Sequence, residues 1–427
     1  MAKAGCDLTQ REGDARAVRD HGGRAMEEEG TMDRDDMTPA EGAAPLAAPV
    51  AISALEPLLM TPMEAVEEAG AWAELAEQAM EPNPFFRPEF LLSYLHHVES
   101  EPITIAAVRR RGGGGLAGLM PLGRKPLGLA WKTPHVWTHA YAPLGTPLLC
   151  ADCAQAAAEK LLRVVMSHVG TFLAMPQQRL DGAVAAAFRD AAAAARLKLD
   201  DTAHYERPVL SLEGTMEAFL QRISGQRRRR YAKGYRRLKE QGHLVRDHLS
   251  GAQAVEAFDA FLELEQSGWK GESATALASN PYHAAFAREA VQEFAASGKL
   301  LVDRLRLDER TIAAVVAFRD GPRVYEWKIA FDEEQASQSP GVQVVLAAME
   351  NYFAIDGLLE VDSLSGQAPS LIDGMWKDRE IFGTMLIAGG RGAGARMAMA
   401  HADIAAYETA RRSAKGVLSR LGKRRKG

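Results

Sequence analysis

The sequence predicts an α/β (α+β) protein made of tandem units, each a mixed, mostly antiparallel sheet flanked by helices. Three observations carry this expectation. Residues 103–109 and 116–122 are β-rich runs around a Gly112–Gly115 turn, and a proline and glycine turn at 141–147 then leads to an alanine-rich helix at 152–168 and a strand at 171–175. Residues 300–307, 311–319 and 323–331 are β-like runs followed by the same order of turn, helix (342–355) and strand (359–364). The chain also has 427 residues and 47% hydrophobic composition, enough for two or three domains with a substantial core.

Taken in order, residues 1–50 carry Glu27, Glu28, Glu29, Asp33, Asp35 and Asp36 and then an Ala/Pro-rich stretch. Such a segment buries too little apolar area to offset the cost of ordering, so a disordered acidic leader is expected. A first unit is expected over 51–205, with a short helix at 72–80 and a second helix fed by the Asn83–Phe90 loop, where two prolines surround aromatics. The glycines at 112–115 read as a hairpin turn, in preference to a phosphate loop. A second unit is expected over 206–390, its meander joined at Asp308-Glu309-Arg310 and Asp320-Gly321-Pro322. Residues 391–427 read as a basic tail.

Composition narrows the function. With 51 Lys and Arg against 56 Asp and Glu, the net charge of −5 gives no general reason to expect a nucleic-acid partner. Cys6, Cys150 and Cys153 provide one C-x-x-C pair with no second pair beside it, which disfavours a zinc site and suits a reducing compartment. No run approaches the ~18 apolar residues that span a bilayer, and no apolar signal core follows Met1, so the expected compartment is the cytoplasm.

Chemistry is expected first at Gln338-Ser339-Pro340-Gly341-Val342-Gln343, where a strand gives way to a helix. Backbone N–H groups without intrahelical partners converge there, Ser339 can cap, Pro340 fits a first turn, and Gly341 admits a close phosphate. Many structural helices begin the same way. On strand 323–331, alternation puts Tyr325, Trp327 and Ile329 on one face and Glu326, Lys328 and Ala330 on the other. Glu326 is thus a candidate base, or else an exposed carboxylate paired with Lys328. Trp269-Lys270 sits before a Gly/Ser/Thr loop, where side chains are presented, though a junction tryptophan would look the same. Asp332, Asp362 and Lys377 can orient a substrate or serve as ion pairs and caps. His135, His139, His204 and His283 show no triad or metal spacing. The run 226–239, with Arg227–Arg230, Lys233, Arg236, Arg237 and Lys239, predicts a basic helix; it and the tail from Arg411 are candidates for contact with an anionic ligand, nucleic acid or a membrane surface, or are simply solvated.

The stretch Phe261–Glu265 with Ser267-Gly268-Trp269-Lys270-Gly271, then Thr275-Ala276-Leu277, Ile329–Glu333 and Ser339-Pro340-Gly341, resembles the GNAT-superfamily acetyltransferase domain of bacterial cellulose-biosynthesis proteins of the CelD/BcsL-like type. That family is related to Fem-type peptidoglycan aminoacyltransferases. The resemblance runs from about Asn83 to Leu386. It implies tandem GNAT-like units and transfer of an acyl group, acetyl in the simplest case, from acyl-CoA to the amine of a small polar or sugar-related acceptor. It further implies a link to exopolysaccharide or cellulose biosynthesis and no permanently bound cofactor or metal. Under it, Gln338, Ser339, Gly341, Val342 and Gln343 hold the donor, Trp269, Lys270, Asp332 and Trp376 meet the acceptor, and Glu326, Lys328 and Asp362 are the catalytic candidates. Relatives carry a Gly-x-x-x-Tyr-Lys-x-x-Trp pattern, whereas Gly366 to Trp376 here lacks the Tyr-Lys pair. Fem-like aminoacyl transfer and a non-catalytic GNAT-like binding module are the alternatives.

Overall fold

Thirteen strands join into one sheet whose order explains the repeat seen in the sequence. The computed structural model describes residues 52–98, 102–366 and 372–424, and the expected acidic leader lies outside them. The strands are β1 (Leu55–Met60), β2 (Thr104–Arg110), β3 (Leu116–Pro126), β4 (Lys132–Val136), β5 (Leu148–Leu149), β6 (Phe172–Arg179) and β7 (Lys198–Ser211). The second half adds β8 (Leu244–Ser250), β9 (Leu300–Leu307), β10 (Arg310–Asp320), β11 (Arg323–Phe331), β12 (Glu360–Asp362) and β13 (Asp378–Ala388). The helices are α1 (Pro62–Glu67), α2 (Ala69–Glu77), α3 (Pro88–His97), α4 (Ala154–Val164), α5 (Ala183–Ala194) and α6 (Met216–Arg222). They continue with α7 (Gly225–Lys239), α8 (Gly251–Ser267), α9 (Trp269–Glu272), α10 (Pro281–Ala296), α11 (Pro340–Tyr352) and α12 (Ala393–Arg424).

The order is β1-β2-β3-β4-β6-β13-β7-β12-β11-β10-β9-β8, with β5 added to β3. Read inward from either edge it is the same design. Four antiparallel strands come first, then a parallel neighbour reached through a helix: β4 to β6 by α4, and β11 to β12 by α11. The antiparallel pair β13 and β7 closes both halves at the centre. The fold is therefore two similarly ordered units in one mixed sheet flanked by helices, as the sequence predicts. The units share a ladder and do not meet at a linker: a border at residue 205 falls inside β7, and β13 from the second half pairs with β6 of the first.

Apolar side chains bury both faces. One large cluster gathers α2–α5, α8 and α10 against the sheet; a second, with Leu210, Val324, Val361 and Tyr352, packs α6, α7 and α11 on the opposite side. The halves are clamped at the Pro-flanked loop. Asn83 accepts from Phe85 N–H at 3.0 Å and donates to the Thr146 carbonyl at 2.8 Å. Arg87, 1% exposed, meets Asp320 of the β10–β11 turn at 2.8 Å and Glu77 at 2.6 Å. Phe90 of α3 packs edge-on against Phe286 and Trp327 of the second half, with centroids 5.1 and 5.9 Å apart.

The tail expectation is corrected at its start. Ala393 onward is helical, Met397 and Ala400 are buried against Phe172 and Leu386, and the Asp403 carboxylate accepts from four backbone N–H groups, Gly128 to Trp131. Small, scattered apolar residues gave this helix a weak periodic signal, so the charge beyond Arg411 dominated its appearance in the sequence.

Candidate active site

Strands β11 and β12 are hydrogen-bonded neighbours for only three rungs, Arg323 to Glu360, Val324 to Val361 and Tyr325 to Asp362. Asp362 Oδ1 then accepts from Leu364 N–H at 2.7 Å, Leu364 takes a left-handed φ of 49°, and the chain turns away while β11 runs on to Phe331. The β11 edge facing the departed β12 is thereby left open from Glu326 onward. Lys270 Nζ donates to the Ile329 carbonyl on this stretch at 3.1 Å and also pairs with buried Glu265 at 2.8 Å. Trp269, 56% exposed, stands beside it, its N–H donating to Glu333 at 2.8 Å. The structure thus brings the expected Trp269-Lys270 pair to the open edge of β11.

Past Phe331 the chain makes a 3-10 turn (Glu333–Gln338) and enters α11 through Ser339. Ser339 sits at the N-cap position but its hydroxyl caps nothing, which corrects the expected role; its φ of 57° is left-handed, an uncommon and costly conformation for a residue with a Cβ. Pro340, Gly341, Val342 and Gln343 are buried in the first turn. What buries them is α7. Gln343 Nε2 donates to the Tyr231 carbonyl at 2.8 Å, and a Cβ on Gly234 would stand 2.4 Å from the Gln338 carbonyl oxygen. Tyr231, Gly234 and Leu238 make the inward stripe of α7, and its cationic side chains point outward. Among the described residues, Arg228, Arg229, Arg230, Lys233, Arg236, Arg237 and Lys239 have no carboxylate partner. A band of unpaired positive charge therefore flanks the positive end of α11.

A β-bulge rearranges the candidate base. Val316 faces Lys328 and Ala317 faces Glu326, leaving Trp327 as the extra residue. Lys328 consequently shares a side of the sheet with Trp327, and the expected face pairing of Glu326 with Lys328 is corrected. Lys328 Nζ lies 4.7 Å from the Tyr141 ring centroid; burial pulls its ammonium down to about 8, against the opposing pull of Glu265. Glu326 stays with Asp303 and the α11 residue Tyr352. Its Oε1 is sealed from solvent without a hydrogen-bond partner, as are Asp303 Oδ2 and the Tyr352 hydroxyl. Burial pushes the Glu326 carboxyl up to about 8, with the negative charges of Asp303 and Asp362 adding to the shift.

Three further expectations are corrected by packing. Asp362, 1% exposed, is held by Arg207 at 3.3 Å and Arg323 at 3.5 Å, a buried ion-pair role. Asp332 accepts from Glu334 N–H at 3.0 Å and pairs with Arg310, so it caps the 3-10 turn. Trp376 is fully buried with Nε1 3.4 Å from Met349 Sδ, leaving no surface for a ligand. Sequence reasoning missed the network of Arg179, Arg207, Arg323 and Glu380, whose members are far apart in the chain. It also set aside His283, whose Nδ1 is 2.9 Å from the Tyr141 hydroxyl near Lys328. Among the described residues, His96, His97 and Glu289 place potential ligand atoms within 4.8 Å of one another between α3 and α10.

A parallel strand pair thus separates beside a helix entrance. Residues 225–378 match the family described as acetyltransferase (GNAT) domain, so this stretch is similar to a domain of that type. No curated protein matches the chain. Among solved structures, FemX is similar over 78% of this chain and 96% of its own, at 10% identity and a TM-score of 0.51. The C-terminal domain of a putative lysylphosphatidylglycerol synthetase from Agrobacterium fabrum covers 79% of this chain and 96% of its own at 12% identity and TM-score 0.45. A tandem GNAT protein from the clavulanic acid biosynthesis pathway covers 79% and 99% at 15% identity and TM-score 0.40. Of these three, the FemX likeness speaks for the fold, and for the fold alone. Among the described residues no helix is long and apolar enough to cross a membrane.

Proposed function

We propose that this chain is an N-acyltransferase that moves an acyl group, acetyl in the simplest case, from a CoA thioester to the amine of a small acceptor. The observation that carries the reading is the open β11 edge leading to the α11 entrance and its flanking cationic helix. In this reading the donor's phosphates meet the outward-facing arginines of α7, which covers the first turn of α11. The acyl arm lies along the open edge of β11, where backbone N–H groups polarise its carbonyl. The amine nitrogen attacks that carbonyl, Glu326 takes the ammonium proton, the C–S bond breaks, and the thiolate is protonated from Glu326 or water. A place in exopolysaccharide or cellulose synthesis is carried over from the sequence resemblance, and a cytoplasmic setting from the composition.

Acetyl-CoA is expected to raise the melting temperature and to release free thiol with an amine panel. Stabilisation without thiol release favours the non-catalytic binding module, and no stabilisation sinks the CoA reading. The unpaired cations of α7 favour one second reading, a Fem-like aminoacyl donor carried on RNA; stabilisation by aminoacyl-tRNA and not by acetyl-CoA would select it.

Gly234 gives a sharper test of the donor site. Alanine in place of a helix-interior glycine ordinarily stabilises by about 0.5–1 kcal/mol. Here the new methyl meets the Gln338 carbonyl, and Gly234→Ala should instead lower the melting temperature and weaken acetyl-CoA binding about tenfold or more, read by calorimetric titration. A variant that is more stable than the parent with unchanged donor affinity would refute the α7–α11 contact as part of the site.

A further inference from the structure

Across the sheet from α11, at the junction of the two halves, lies a cavity of about 350 Å³. Its floor is the rungs of β11 and β12 just before the strands separate, and Tyr325 and Asp362 belong both to its wall and to the last rung. Beyond that rung no ladder hydrogen bond joins β11 to β12.

The lining carries five carboxylates, Glu81, Glu213, Glu360, Asp362 and Glu380, against the guanidiniums of Arg179 and Arg323. Four of the acids already have partners. Glu380 takes Arg323 in a two-pronged contact at 2.9 and 2.5 Å and Arg179 at 2.9 Å, while Asp362 is shared by Arg207 and Arg323. Glu360 has only the shared Arg323, at 3.1 Å, and stays 40% exposed. Glu81 accepts from the Ala183 and Val184 N–H groups at the start of α5, and burial raises its carboxyl above the ordinary range. Of these charges Asp362, Glu380 and Arg323 are buried, and the rest face the cavity or solvent. Between the charges, Met80, Leu144, Leu359 and Phe382 supply apolar wall.

We infer that this cavity receives the distal end of the acyl acceptor, and that the acceptor is a linear, aliphatic di- or polyamine: one ammonium sits among Glu81, Glu213 and Glu360, and the other amine reaches the gap between β11 and β12. Spacing supports the length. From the Glu360 rung at Arg323 to Glu326 is three residues, about 10 Å of strand, the span of an extended chain of about seven atoms between two nitrogens. The same charge balance disfavours a phosphorylated or nucleotide-sugar acceptor, which would bring anions to a carboxylate-rich wall. The identification of this ligand as the acceptor rests on the acyltransferase reading; the binding of a diamine does not.

The test is calorimetric titration of the full chain with putrescine and spermidine, with glucosamine and a UDP-sugar for contrast, repeated on Glu360→Gln and Glu81→Gln. Saturable binding of the polyamines is expected, weakened about tenfold by Glu360→Gln, whose side chain is exposed enough to be changed without unfolding the protein. No saturable polyamine binding, unchanged affinity in both variants, or a preference for the UDP-sugar each overturns the inference. If acetyl-CoA stabilises the protein but polyamines do not bind, the cavity inference falls alone. If polyamines bind and acetyl-CoA has no effect, the CoA-dependent reading of function falls and the cavity stands.

Discussion

Arg87→Leu should destabilise the protein by about 3–5 kcal/mol in urea unfolding, because it strands a buried carboxylate at the seam between the halves. Both Arg87 and Asp320 are 1% exposed, and Asp320 Oδ2 already lacks a hydrogen-bond partner. Burial lifts Asp320 to about 6 even with the Arg87 charge opposing it. A carboxyl whose folded value lies above its unfolded value binds its proton more tightly in the folded state, so stability falls as the pH rises between the two. In the parent that fall ends near pH 6. Without Arg87 it continues higher, so the variant's deficit should be modest at pH 5 and widen as the pH passes 6. Arg87→Leu with Asp320→Asn removes both charges and should recover most of the loss. A single-variant cost below about 1 kcal/mol at pH 7.5, or no rescue in the pair, would show that the clamp lies elsewhere.

That clamp shows what the sequence could and could not disclose. The Pro-flanked loop at 83–90 and the meander at 300–331 were legible, because alternation, helical spacing and turn residues act within a few positions of one another. The partnership of Arg87 with Asp320 spans 233 positions, and nothing local announces it. The central ladder was hidden for the same reason: β13 pairs with β6 and β7, and no periodicity within 378–388 says which strands it will join. At the candidate site, Ser339-Pro340-Gly341 was readable as a helix entrance, and Trp269-Lys270 as a presented pair. The bulge at Trp327 was not, since one extra residue in β11 is invisible to a period-two pattern yet moves Lys328 to the other side of the sheet. Asp362 and Trp376 misled in the opposite way. Charged and aromatic residues near a matched motif suggest contact with substrate, but burial and the arginine and methionine partners give both to the fold.

Glu326→Gln should lower kcat by about 10²–10⁴, the range expected when a positioned base is lost, while leaving donor affinity nearly unchanged. The wild-type rate should climb with pH and level off above about 8, since the carboxylate acts only when deprotonated and its carboxyl is held at about 8. The glutamine variant should lose that rise. Stability supplies an independent sign. Glu326 titrates near 4.5 when unfolded and near 8 when folded, so its contribution to stability erodes between those values as the pH rises. Glutamine cannot ionise, and the variant should therefore be more stable than the parent at pH 8–9, by at most about 5 kcal/mol at 1.36 kcal/mol per pKa unit, with the gap closing toward pH 5. A protein that becomes harder to unfold while losing turnover cannot owe the loss to misfolding. Turnover within threefold of the parent would remove Glu326 as the base and return attention to Lys328 and its Tyr141–His283 neighbours on the other side of the bulge.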